Sequence, residues 1–243
     1  MSSKLFILGV GVIVVVAALV LGRRTLPSSP QGQGEAAETA PAKDRLKWHA
    51  QKAKAAGQDE VIISGPIVEY DGSASSMTTD DMLSYYAVIK AIPTEELSYA
   101  ADSNTVVTWY KFKTIESLSQ PNRLACPNCP EPPLPQELLP LMPDEFLFCK
   151  SGGSLLIDGV KVRMLEEGFP PFKINQEYLL FVSKHPSGIA EIGGGPLGTY
   201  ALDNGGKMVA VNGRAHPIKE RVARELGTSL DEVKQKIRNR LVR

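Results

Sequence analysis

The chain has 243 residues, of which 43% are hydrophobic and 22% charged, a composition typical of a globular protein rather than a disordered one. Its formal net charge is zero, but the balance is +5 over residues 1–57, −10 over residues 58–213 and +5 over residues 214–243. The acidic central part argues against extended nucleic-acid binding, which needs a basic surface. The basic ends are expected either to dock on this acidic body or to contact an anionic partner.

Residues 5–22 form an uncharged, almost wholly apolar run of 18 residues, followed by Arg23 and Arg24. A helix of about 20 residues crosses the hydrocarbon core of a bilayer. We therefore predict a transmembrane anchor over residues 1–24, in preference to a cleaved signal peptide, because no small-residue cleavage site follows the run. Strict counting of flanking charges would keep the body in the cytoplasm. Because long domains cross with little regard to charge, we instead expect a periplasmic or extracellular body.

Residues 25–42 are rich in Pro, Ser, Gly, Gln and Ala, a composition that predicts a disordered linker. Residues 43–58 contain good helix formers and reach Gly57, a residue suited to a helix C-terminus. This segment predicts a short helix whose one large apolar side chain, Trp48, lies against the body.

Residues 59–213 predict a mainly β domain, in which β-branched and aromatic runs alternate with turn residues and no helices intervene. In residues 105–118 the alternation predicts a half-buried strand, and residues 177–184 are apolar on both faces, as in a central strand. Asp158-Gly159 and Asn204-Gly205 predict two hairpins. The expected fold is an OB-like β-barrel or sandwich, interrupted by a proline-rich insertion over residues 119–145. The predicted strands cover residues 60–70, 82–92, 105–118, 154–165, 177–184, 198–203 and 207–211.

Residues 214–243 predict two basic C-terminal helices. The first ends at Gly227, and Ser229 with Glu232 forms a capping-box pattern for the second. Leu230, Val233, Ile237 and Leu241 make a narrow apolar stripe on the second helix. This stripe is expected to cover the β domain, with anionic lipid or another partner as the alternative for the basic face.

The stretch 172–207, with its YLLF run and its GG-x-x-G element, resembles a group of poorly characterised exported bacterial β-domains. The group itself looks like an OB-type barrel of the netrin and metalloproteinase-inhibitor sort. The resemblance covers about residues 60–211 and implies fold and export rather than activity. Such inhibitors grip a metal with an N-terminal cysteine, and this chain begins instead with the predicted anchor, so that mechanism does not carry over.

Cys126, Cys129 and Cys149 are the three cysteines of the chain. The Cys126-x-x-Cys129 spacing fits a zinc knuckle or a redox pair, but no second ligand pair follows. The prolines after Cys129 disfavour the helix that lowers the thiol pKa in redox motifs. A structural disulfide in an exported loop, with a bridge to Cys149 as one option, explains the pattern best. Unreactive free thiols remain the alternative if the body is cytoplasmic.

These patterns favour a membrane-anchored extracytoplasmic β-barrel module that binds or scaffolds, without catalysis and without a metal or other cofactor. The expected contacts are the membrane, through residues 5–22, and a protein partner at the proline-rich insertion. The alternative is an extracytoplasmic thiol-redox or zinc protein that uses the CPNC motif. A remote alternative is a Ser-Lys membrane peptidase with Ser76 as nucleophile and Lys90 as base.

Overall fold

The computed structural model describes residues 44–65, 78–120, 134–211 and 216–241, which belong to one compact unit. The predicted anchor, the predicted linker, Cys126 and Cys129 lie outside the described residues. Within the described ranges, no helix has both the length and the apolar character needed to cross a membrane.

The described residues form four α-helices and ten β-strands. The helices are α1 (Arg45–Ala55), α2 (Thr79–Tyr85), α3 (Pro217–Glu225) and α4 (Leu230–Leu241). The strands are β1 (Glu60–Ser64), β2 (Ala87–Ala100), β3 (Val106–Ser117), β4 (Glu145–Ser151), β5 (Gly153–Ile157), β6 (Val160–Leu165), β7 (Tyr178–Lys184), β8 (Ala190–Ile192), β9 (Thr199–Leu202) and β10 (Met208–Ala210). The prediction of a mainly β chain with a C-terminal helical pair is therefore confirmed.

The strands form two sheets. The small sheet has the order β1-β6-β5, with β1 parallel to β6 and a tight β5–β6 hairpin. The large sheet has the order β10-β9-β7-β2-β3-β4, and β8 pairs with β7. All strand pairs in the large sheet are antiparallel. The β5–β6 turn contains Asp158 and Gly159, both with positive φ, as the sequence predicts.

The large sheet curls, but the described strands do not close into a barrel, which corrects the barrel prediction. Strand β4 lies at one end of the sheet order and returns to the β7–β8 turn through a single parallel bridge between Leu147 and Ile189. The amide of Leu147 also donates to the carbonyl of Gly188 at 2.9 Å. Because a closed barrel requires continuous pairing around the ring, this isolated bridge leaves the sheet open.

The concave face of the large sheet encloses an aromatic cluster centred on Phe172, which lies in the connection between β6 and β7. Its ring meets five other rings at centroid distances of 5.0–5.8 Å, mostly edge to face. Edge-to-face contacts stabilise aromatic pairs beyond the burial of their surface. The five rings are those of Tyr110, Phe112, Phe148, Phe169 and Tyr178.

Helices α3 and α4 cover the opposite face of the sheet around β2, β7 and β9. The apolar stripe of α4 is buried there, as predicted, through Leu230, Val233 and Ile237. Two ion pairs join the basic helix to the acidic body: Lys234 to Glu116 at 2.7 Å, and Arg240 to Asp80. The basic C-terminal segment thus docks on its own acidic body.

The structure corrects the prediction of a half-buried strand over residues 105–118. Both faces of β3 are buried over most of its length, because residues 134–141 from the proline-rich insertion pack across the face that carries Trp109. Lys111 on this face is also buried, and its amine pairs with Glu95 at 2.9 Å. The covering side chains are Leu134, Leu138, Leu139 and Leu141.

The predicted strand over residues 82–92 is wrong at its start, where the chain forms helix α2. Thr78 caps this helix, and its hydroxyl accepts a hydrogen bond from the Asp81 amide while the Asp81 carboxylate accepts from the Thr78 amide. This reciprocal capping box fixes the helix start, and the apolar side chain of Met82 is buried in the helix rather than in a strand.

A buried ion pair between Lys150 and Glu166 lies beside the aromatic cluster. The side chains are 4% and 3% exposed, and the charged atoms are 3.2 Å apart. The Lys150 amine also donates to the carbonyl of Phe169 at 2.7 Å and lies 4.9 Å from the centre of its ring. Burial lowers the pKa of Lys150, although the nearby Glu166 carboxylate opposes this shift. The pair therefore ties β4 to the segment that carries Phe169 and Phe172.

Replacing Lys150→Met should destabilise the full chain by about 3–5 kcal/mol, because it leaves a buried carboxylate without its cation. The double variant Lys150→Met, Glu166→Leu should recover at least half of that loss, since both charges are then removed. Urea denaturation of the two variants and the parent chain measures this. A double variant as unstable as the single one would contradict the assignment of the loss to the unpaired Glu166 carboxylate.

Candidate binding site

Cys149 lies in the middle of β4, opposite Trp109 in the β3–β4 register. Its thiol is free and half-buried, and burial raises its pKa to about 11. At that pKa the thiolate that attacks disulfides or binds metal is scarce at neutral pH. The structure thus gives no support to a disulfide that includes Cys149. Whether Cys126 and Cys129 pair with each other stays a prediction, since both lie outside the described residues.

His216 is a possible metal ligand by residue type, but the structure places its ring at the start of a helix. Nδ1 of His216 accepts a hydrogen bond from the amide of Ile218 at 3.2 Å and so caps the start of α3. Burial, aided by Lys219, lowers the pKa of His216. In the described part of the chain, no group of three His, Cys, Asp or Glu side chains is placed to hold a metal ion.

Lys90, the base in the Ser-Lys alternative, lies on β2. The amine of Lys90 forms an ion pair with the Glu177 carboxylate at 2.7 Å. Ser76 lies outside the described residues. Sequence reasoning missed a different amine–hydroxyl contact, in which Lys184 donates to Thr114 at 3.3 Å. Burial lowers the pKa of Lys184, but its amine lies over the ring of Phe146 rather than in a pocket.

A small pocket lies between α2, the end of β3 and α4. It has a volume of about 140 Å³ and is lined by Asp80, Leu83, Ser84, Ser119, Gln120, Ile237 and Arg240. Leu83 and Ile237 give it an apolar wall, while Asp80 and Arg240 form an ion pair at its edge. Arg240 also approaches Glu225 of α3 at 3.7 Å, so its guanidinium is held between two helices.

The two serine hydroxyls of the pocket already have partners. The Ser119 hydroxyl accepts a hydrogen bond from the amide of Val88 at 3.0 Å, and the Ser84 hydroxyl donates to the carbonyl of Asp81 at 2.8 Å. Neither contact resembles a serine activated by a base. The polar groups of the pocket therefore suit recognition rather than nucleophilic chemistry.

The pocket lies where two segments outside the described residues join the body. Thr78, at the start of α2, follows residues 66–77, and Gln120 precedes residues 121–133, which contain the CPNC motif. Sequence reasoning assigned the partner contact to the proline-rich insertion but missed the pocket. Its charged pair, Asp80 and Arg240, is separated by 160 residues, and no local pattern joins them.

The size of the pocket limits what it can hold. Sites for cofactors and drug-sized ligands usually have volumes of about 300–1,000 Å³. A space of about 140 Å³ is less than half of the lower bound and is about the size of one amino-acid side chain. An apolar wall beside a charged edge favours an aliphatic or aromatic side chain with a polar neighbour.

Comparisons with known proteins do not assign the chain to a family. No family model matches it, and neither the curated proteins nor the solved structures gave a match. The resemblance to exported β-domains therefore stays a prediction from the sequence.

We expect Cys149 in the folded chain to react with iodoacetamide at pH 8 far more slowly than in denaturant. Raising the pKa of the Cys149 thiol from 9.0 to about 11 lowers its thiolate fraction roughly ninetyfold at this pH. Mass spectrometry of the Cys149 peptide after timed alkylation measures the rate. A Cys149 that resists alkylation in denaturant until a reductant is added would instead reveal a disulfide and contradict the free thiol.

Proposed function

We propose that this chain is a membrane-anchored, extracytoplasmic module that binds a protein partner and carries out no catalysis of its own. The observation that carries the proposal is the pocket between α2 and α4, with its apolar wall of Leu83 and Ile237 and its Asp80–Arg240 edge. Its volume accommodates a side chain, and its hydroxyl groups are engaged in structural hydrogen bonds. The anchor is supported by the apolar run at residues 5–22.

We further propose that the β domain is a relative of OB-type barrels whose ring is left open. The curl of the large sheet and the bridge from Leu147 to Ile189 support this view. Binding sites grafted on such folds differ widely, so the fold by itself names no ligand.

The two short ion pairs of the C-terminal helix position the pocket. Lys234 and Arg240 hold α4 against β3 and α2, so that Ile237 faces Leu83 across the pocket. Exposed ion pairs of this kind are each worth only about 0–1 kcal/mol, and the buried apolar stripe of α4 supplies most of the docking energy. The pocket is therefore a preformed feature rather than one that a partner must create.

The test places a photo-crosslinking amino acid at Ser84 of the full chain in intact cells. We expect one defined protein adduct, and we expect Gln120→Trp to reduce it at least about tenfold, because an indole at this exposed position fills the pocket at little cost in stability. The same crosslinker at Ile174, an exposed residue outside the pocket, is the matched control.

An adduct at Ser84 that persists in the Gln120→Trp chain would contradict recognition through the pocket. The same adduct formed by the crosslinker at Ile174 would show that the partner contacts the chain without selecting the pocket. This result would also contradict recognition through the pocket. Digestion of the crosslinked chain by a protease added outside intact cells reports the compartment independently. A body protected until the cells are opened would overturn the extracytoplasmic part of the proposal.

A further inference from the structure

The outer face of the small sheet exposes three large aliphatic side chains, one from each strand. Ile62, Leu156 and Leu165 are 58%, 76% and 37% exposed, respectively. The inner face is buried instead, where Ile63, Val162 and Met164 pack with α1. Because alternate residues of a strand point to opposite faces, the exposed side chains share one surface of this sheet.

Basic side chains lie between these aliphatic ones. Lys161 on the central strand β6 is opposite Leu156 in the β5–β6 register, and Arg163 is opposite Ile62 in the β1–β6 register. Lys161 has no ion-pair partner among the described residues. Arg163 approaches Glu60 at 3.4 Å, and both side chains of this pair are more than a third exposed. The face thus combines aliphatic and cationic groups.

The small sheet and α1 form the basic end of an otherwise acidic body. Residues 44–65 and 153–165 together contain six Lys or Arg and four Asp or Glu, whereas the remaining residues 66–152 and 166–213 contain eight Lys or Arg and seventeen Asp or Glu. Two copies that met through this face would bring like charges together, so the face favours an anionic surface over such a dimer.

The chain also enters the described body at this sheet. The guanidinium of Arg45, in the first turn of α1, donates to the carbonyl of Ser64 at the end of β1 at 3.1 Å. The predicted anchor ends about twenty residues before this point in the sequence. A predicted anchor this close along the chain favours a lipid surface as the occupant of the outer face.

We propose that the outer face of the small sheet rests on an anionic bilayer surface. Ile62, Leu156 and Leu165 reach the boundary between headgroups and acyl chains, and Lys161 and Arg163 contact lipid phosphates. This inference rests on the membrane anchor of the proposed function and leaves the pocket beside α2 available to a partner.

The experiment uses the full chain in liposomes that contain phosphatidylglycerol and lipids with brominated acyl chains, which quench nearby tryptophan. Leu156→Trp adds a probe on the proposed contact face, and Ile115→Trp adds a control at an exposed position on β3. Relative to the parent chain, we expect quenching of the added tryptophan at position 156 to be at least about twofold greater than at position 115. Reversing the charges with Lys161→Glu and Arg163→Glu, or omitting phosphatidylglycerol, should remove the difference.

Flotation of the liposomes separates the two proposals. A chain that floats with equal quenching at both positions retains the anchor and overturns the docking. A chain that does not float overturns the anchor and the docking that rests on it. The tryptophan at position 156 could instead be shielded from solvent when no lipid is present, in a chain that also crosslinks to a second copy. That result would show that a dimer covers this face and would overturn the lipid contact. Unchanged far-ultraviolet circular dichroism and a cooperative thermal unfolding transition confirm that each variant is folded.

Discussion

The ring of Phe172 is the contact on which the rest of the domain depends. It comes from a connecting segment rather than from a strand, yet it meets rings from β3, β4 and β7 at 5.0–5.8 Å. A sheet that curls without closing leaves a concave face that must be filled, and interiors are stable only at close-packed density. The Phe172 segment fills that face, and the Lys150–Glu166 pair fixes the segment to β4.

The long β2–β3 pair makes the curl possible. Its register shifts at Lys90/Ala91 and at Pro93/Glu95, and such bulges bend a strand and increase its twist. Pro93, which cannot donate a backbone hydrogen bond, lies at one of these shifts, where a lost ladder bond costs least. One face of the bent β2–β3 pair lines the aromatic interior. The other face is covered by α3 and α4 near β7 and by residues 134–141 near Trp109. With both faces of this sheet covered by the chain itself, the surfaces proposed for recognition among the described residues are the pocket beside α2 and the outer face of the small sheet.

The sequence predicted correctly those elements that depend on residues close together in the chain. The Asp158-Gly159 turn, the apolar strand β7 and the stripe of Leu230, Val233 and Ile237 all appear where the pattern placed them. The covering of Trp109 by Leu138 and the burial of Lys150 with Glu166 depend on contacts between separate segments, which periodicity does not encode. Helix α2 was missed although Thr78 and Asp81 form its capping box, because the apolar run after them also fits a strand. The pocket could not be predicted, since Asp80 and Arg240 come from opposite ends of the domain.

Amide hydrogen exchange of the full chain carrying Phe172→Ala tests the central role of this ring most directly. Removing a buried phenylalanine typically costs about 3–5 kcal/mol, through lost transfer energy and the cavity left behind. If Phe172 holds the curled sheet together, protection should fall in concert across β2, β3, β4 and β7, far from the substituted residue in sequence. Loss of protection confined to residues 166–177, with the strands unchanged, would contradict this account and would make the segment a peripheral cover on a sheet that is stable without it.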